Sequence, residues 1–243
     1  MLRASTLRHS LAGAALLLTL SLAGAAQAQQ RPYLLWLDGA HLDIAKIIGL
    51  PPAPNSPEAK AEFEEVLKLS SERSPEREKQ AIADQRQGLV NFLSGIDTKY
   101  VDNTHREARL LFREAQVELS ILLKSVHRLT SRQRPFSVWN RVRVKPCPGA
   151  RPDGTSFPSA HAATAALYAD LLKAAAPEMG DQLEERVKSY DESRLICGFH
   201  YRSDLVAGDK VGRAVAKALL ADKAFQVRFK ETVPEIRTAL GVK

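Results

Sequence analysis

From Thr104 to about Thr130, Leu110, Leu111, Val117, Ile121 and Leu122 recur at helical spacing, and no stretch of the chain shows a convincing strand-like alternation. Local helix-start chemistry agrees with that period. Ser56-Pro57-Glu58 places a hydroxyl for the N-cap, a proline for the first helical position and an acid in the first turn, and Ser74-Pro75-Glu76 repeats the signal. Thr104 and Glu107 stand at capping-box spacing. The spacing predicts further helices over about 160–175, stopped before Pro177, over about 181–196 and 203–221, and a short one within 222–240. Leu50-Pro51-Pro52-Ala53-Pro54 reads as an extended arm, and 137–157, with three prolines and two glycines, as a loop. No internal repeat is visible. The expected class is all-α, a single-domain helical bundle.

The first 28 residues read as an address rather than structure. Arg3, Arg8 and His9 give a basic start, Leu11–Leu22 is mostly apolar but short for a span, and Ala26-Gln27-Ala28 fits a small-x-small cleavage site. The expectation is a signal peptide over 1–28, a mature domain over 29–243 and a periplasmic location without stable membrane insertion. The net charge of +7 falls to +5 without Arg3 and Arg8, a mild excess that suits anionic substrates. No basic run interleaved with aromatics is present, so nucleic acid is not an expected partner. Cys147 and Cys197 in an exported chain are expected to form one disulfide, with two free thiols as the alternative.

Three clusters carry chemistry. Arg132-Gln133-Arg134-Pro135 follows the long helix, and an arginine there can grip a phosphate with parallel hydrogen bonds. Phe157-Pro158-Ser159-Ala160-His161 opens a helical run. Free amides at a helix start bind anions, Ser159 sits where an N-cap belongs, small Ala160 permits close approach, and His161 can exchange a proton. In the third, Ser193-Arg194 precedes His200 by five intervening residues, and Asp204 follows after three. A carboxylate four residues beyond a histidine can fix its tautomer and leave the other nitrogen to attack.

Together these clusters resemble the signature of the PAP2 superfamily, specifically the bacterial class A non-specific acid phosphatases: K-x6-RP, then PSGH, then SR-x5-H-x3-D. Here 22 residues separate Arg134-Pro135 from Pro158-Ser159-Ala160-His161, and 31 more lead to Ser193. The resemblance extends over about residues 50–230. It implies a metal-independent phosphomonoesterase with no cofactor, small phosphomonoester substrates and, by default, a homodimer. It implies that His200 attacks phosphorus to form a phosphohistidine, Asp204 orients His200, and His161 protonates the leaving group. It also implies that Arg134, Arg194, Ser159 and the amides near Ala160 and His161 hold the phosphoryl oxygens. A vanadium-dependent haloperoxidase shares this architecture and is one alternative; a degenerate phosphate-binding protein without turnover is another.

Two positions depart from the signature. Ala160 replaces its glycine, which is mild if the backbone has φ below zero. His127 stands where the lysine belongs, and Lys124 lies one helical turn earlier. The expectation is that protonated His127, or Lys124 in its place, supplies a cation to the phosphate. His41 and His105 read as surface or packing residues, and Trp36 and Trp139 as packing residues, the latter with a pocket-wall role as the alternative.

Overall fold

A computed structural model describes residues 35–37, 42–138, 144–151 and 154–243. The signal-peptide reading, His41 and Trp139 fall outside these residues. Among the described residues the regular structure is helical throughout, as the periodicity requires: α1 (Ile44–Ile48), α2 (Pro57–Glu72), α3 (Pro75–Ala83), α4 (Leu89–Leu93), α5 (Arg106–His127), α6 (Ala160–Ala175), α7 (Gly180–Ile196), α8 (Arg202–Ala221) and α9 (Lys223–Leu240). All belong to one unit, residues 32–243. Among the described residues no helix is long and apolar enough to cross a membrane.

The two Ser-Pro starts form as read. Ser56 Oγ accepts from the Ala59 amide and Ser74 Oγ from the Arg77 amide, so each serine satisfies an orphan N–H of the first turn. The Thr104 capping box does not form. His105 is the N-cap of α5, without a side-chain cap, and its ring is buried, with Nδ1 3.0 Å from the Val101 nitrogen and the ring stacked on Tyr100. The last helix, expected to be short, runs 18 residues through Pro234. Its buried Phe225, Phe229, Ile236 and Leu240 join the main core and carry it past the proline.

The functional region is set by the contact between α6 and α8. Helix α6 is apolar on nearly every face and packs on α5, α7, α8 and α9, as a helix at the centre of a bundle must. Gly208 and Gly212 of α8 lie against its backbone. A Cβ at Gly208 would stand 2.3 Å from the Ser159 carbonyl oxygen, and one at Gly212 would stand 2.1 Å from that of Ala163. The two glycines therefore let the start of α8, with Asp204, lie beside the start of α6, with His161; the Ser159 amide donates to the Asp204 carbonyl at 2.9 Å. Gly212→Ala should lower stability by about 3 kcal/mol or more, because the obstacle is backbone and cannot rotate away. Gly180→Ala, where φ is −51° and the nearest atom is 3.5 Å away, should be neutral or slightly stabilising. Paired denaturant melts read both.

Candidate active site

Arg134, Arg194, His161 and His200 line a single cavity of about 320 Å³, together with Gln85, Phe136, Phe199 and the Gly149–Arg151 segment. Residues as far apart in the chain as Gln85 and His200 thus converge on one site.

Arg194 is in the last turn of α7 and is 0% exposed. Its Nη2 donates to the Ala81 carbonyl at 2.8 Å, while Nε and Nη1 are buried without a hydrogen-bond partner. Burial pushes its guanidinium below the ordinary arginine range. After Arg194 the chain turns sharply. Gly198 has φ +68°, and a Cβ there would lie 2.3 Å from a Val144 methyl, so glycine is required on both counts. The turn brings the Phe199 amide back to the Arg194 carbonyl at 2.9 Å and delivers His200 to the cavity.

The ring of His200 is buried. Nδ1 lies 2.8 Å from the Ser156 carbonyl oxygen, which can only accept, so Nδ1 carries the proton and Nε2 is left with its lone pair. Nε2 faces Arg134 Nη1 at 3.2 Å. Asp204 Oδ2 stands 3.5 Å from Nδ1, so the backbone carbonyl makes the closer contact and the carboxylate acts on the ring as a nearby charge. Burial lowers the His200 pKa, the neighbouring Asp204 carboxylate opposes this, and Arg134 adds to the lowering. Asp204 is 0% exposed. Burial alone would raise its pKa, but His200, Arg132 and the Ser156 hydroxyl together hold it below the usual carboxylate range. Its Oδ2 also accepts the Tyr201 amide at 2.8 Å, which fixes it in the first turn of α8.

His161 donates from Nε2 to the Gln85 carbonyl at 2.9 Å, which leaves Nδ1 as its proton-exchanging atom. Burial, then the nearby Arg194, lower its pKa to about 3. Ser159 caps α6 through the Ala162 amide at 3.3 Å and does not line the cavity. Ala160 is the first residue of α6, and among the described non-glycine residues Asn55 alone has positive φ, so alanine fits there without strain.

His127 and Lys124 lie apart from this group. His127 Nε2 donates to the Pro158 carbonyl at 2.9 Å, Lys124 is exposed, and neither lines the cavity. His127 therefore braces the segment that leads into α6, where a cation for the phosphate was expected. The sequence also gave no sign of the carbonyls of Ser156, Ala81 and Gln85 that orient His200, Arg194 and His161, because backbone atoms carry no residue signature.

The disulfide is present. Cys147 and Cys197 are joined across a sequence separation of 50, tying the segment that carries Gly149–Arg151 to the turn between Arg194 and His200.

No family model matches the chain. A non-specific acid phosphatase of Salmonella typhi is 36% identical over 114 residues, 46% of this chain and 44% of that protein. One from Providencia stuartii is 31% identical over 80 residues, 33% of this chain and 32% of that protein. The matched stretch is thus less than half the length of these relatives. A transmembrane PAP2 type phosphatidylglycerolphosphate phosphatase from Bacillus subtilis superposes with a TM-score of 0.48 at 16% identity, covering 77% of this chain and 91% of that one. Motifs and sequence matches agree that this chain resembles the non-specific acid phosphatases of the PAP2 superfamily.

Proposed function

We propose that this protein is a phosphomonoesterase that acts through a phosphohistidine at His200. The observation that carries the reading is the pairing, in one cavity, of a buried arginine with two unpartnered donors and a histidine whose tautomer leaves Nε2 ready to attack. Arg194 and Arg134 would hold the phosphoryl oxygens and take up the charge that develops on them. Nε2 of His200 forms a bond to phosphorus as the ester P–O bond breaks, and the leaving oxygen takes a proton from Nδ1 of His161. Neutral His161 then accepts a proton from water, the water oxygen attacks phosphorus, and the P–N electron pair returns to Nε2. Asp204 stabilises the cationic imidazole of the intermediate. The proposed setting is the periplasm, after loss of residues 1–28; the Cys147–Cys197 bond suits an oxidising compartment.

The proton supply has a consequence for pH dependence. With its pKa near 3, His161 is neutral in the empty site at pH 5. The proton it donates must then arrive with the substrate, as the phosphate monoanion, and pass to Nδ1 on binding. The basic limb of kcat/KM should therefore follow the second pKa of the substrate phosphate, about 6. Phosphate release from a series of aryl and fluoroalkyl phosphates with different second pKa values checks this. A limb that stays fixed across the series would place the essential proton on the enzyme instead. Release should also survive EDTA, because the cations proposed to meet the phosphate are guanidinium groups; loss to chelator with recovery on adding a divalent ion would overturn the mechanism.

A further inference from the structure

Asp204 has a second set of bonds that the reaction above does not use. Arg132 Nη1 donates to Asp204 Oδ1 at 2.7 Å and to Ser203 Oγ at 2.7 Å. Its Nη2 donates to Glu62 Oε2 at 2.7 Å. Glu62 also accepts the Ser203 amide at 2.6 Å and the Ser203 hydroxyl at 3.0 Å, and the guanidinium stacks 4.0 Å over the Tyr201 ring. The side chains of Glu62, Arg132 and Asp204 are 13%, 11% and 0% exposed. Three charges of alternating sign thus run from α2, through the segment after α5, to α8, and end at His200. A row of this kind is poor value as mere fastening, since desolvating three ions offsets much of their attraction and apolar packing could join the same elements.

We propose that Glu62 and Arg132 are positioning residues that fix the plane and the effective charge of Asp204 and, through it, the basicity of His200. Arg132 holds Oδ1 while the Ser156 hydroxyl and the Tyr201 amide hold Oδ2, so the carboxylate cannot swing from the imidazole. Arg132 alone would cancel most of the Asp204 charge seen by the ring. Glu62 offsets Arg132, so the row keeps a net negative charge behind the nucleophile. The inference rests on His200 being the nucleophile of the proposed reaction. Among the described residues, the other charged or titratable groups that share the cavity with His200 are Arg134 from the segment after α5, Arg151 from the segment before α6, Arg194 from α7 and His161 from α6, and the variants below leave all four in place.

The test is a histidine-selective NMR titration of the full chain without phosphate, the His200 signal being identified by its loss in His200→Gln. Glu62→Gln keeps an acceptor for the Ser203 amide but removes the charge, and should lower the His200 midpoint. Arg132→Gln should raise it, and Glu62→Asp should return toward wild type. A merely structural tie does not predict shifts of opposite sign. In turnover, Glu62→Gln should lose about tenfold in kcat with KM changed by less than about twofold. If Arg132→Gln fails to fold, the Glu62→Gln midpoint and kcat decide alone. An unmoved His200 midpoint, shifts of the same sign, or full kcat with only a lower Tm would each overturn the proposal. Opposite shifts in a protein that releases no phosphate would uphold the electrostatic link and reject the phosphatase reading, so the two fail separately.

Discussion

His200→Ala is expected to abolish phosphate release, by about four orders of magnitude or more, because it removes the atom proposed to form the covalent bond to phosphorus. The loss should fall on kcat. Arg134 and Arg194 remain, so inorganic phosphate should still bind and still protect against heat. His161→Ala should behave differently. The protonated imidazole matters most when the leaving oxygen is a poor one, so this variant should keep far more activity on a nitrophenyl phosphate than on an alkyl phosphate. Rapid quenching into alkaline denaturant, which preserves the acid-labile P–N bond, should find labelled phosphoenzyme in His161→Ala, where the second step lacks its proposed base, and none in His200→Ala. Labelled phosphate on another residue, or an unchanged rate in His200→Ala, would remove His200 from the reaction. The buried ring makes a fold check necessary, and His200→Gln, which fills more of the space, supplies the second variant.

The features legible in the sequence are those whose physics is local. A Ser-Pro-Glu start satisfies its own orphan amides within three residues, so α2 and α3 could be placed from the text alone. The period of α5 could be read because one face of the helix must be apolar; of the residues that carried it, Leu111 and Leu122 are buried while Val117 is exposed, so the helix was legible and its buried face only in part. Its N-terminus could not, because the packing of the buried His105 against Tyr100 and Val101 displaced the hydroxyl cap that Thr104 offered. The four cavity residues Arg134, His161, Arg194 and His200 were legible as motifs. The partners that orient them are backbone carbonyls: Ala81 in α3, Gln85 just after it, Thr155 and Ser156 before α6, and Phe199 after α7, and any residue can supply a carbonyl. Arg132 was visible as one of a basic pair, but its separation of 70 residues from Glu62 hid its role. His127 shows the reverse error: its place in a motif suggested a phosphate ligand, while its ring meets the Pro158 carbonyl.

Arg194→Met should cost nearly all activity and yet make the resting protein more stable. The wild-type guanidinium is 0% exposed and leaves Nε and Nη1 unpartnered, a state that costs about 1–3 kcal/mol for a buried donor. Methionine is flexible and apolar, and can pack against the Tyr190 and Phe199 rings that now face the guanidinium at 5.8 and 5.5 Å. The variant should lose the Ala81 carbonyl bond but gain from the removal of an incompletely paired charge, so its Tm without ligand should rise. Catalysis should fall by about 10²–10³-fold or more, since one of the two cations proposed to meet the phosphoryl oxygens has gone. Adding phosphate separates this account from a general tightening of the core. At about 100 times Kd, phosphate should stabilise the wild type by about 2.7 kcal/mol and the variant by far less, so the order of the two melting temperatures should narrow or invert. A variant that is less stable without phosphate and gains as much from it as the wild type would show that Arg194 serves packing, and the anion cradle would have to be sought elsewhere in the cavity.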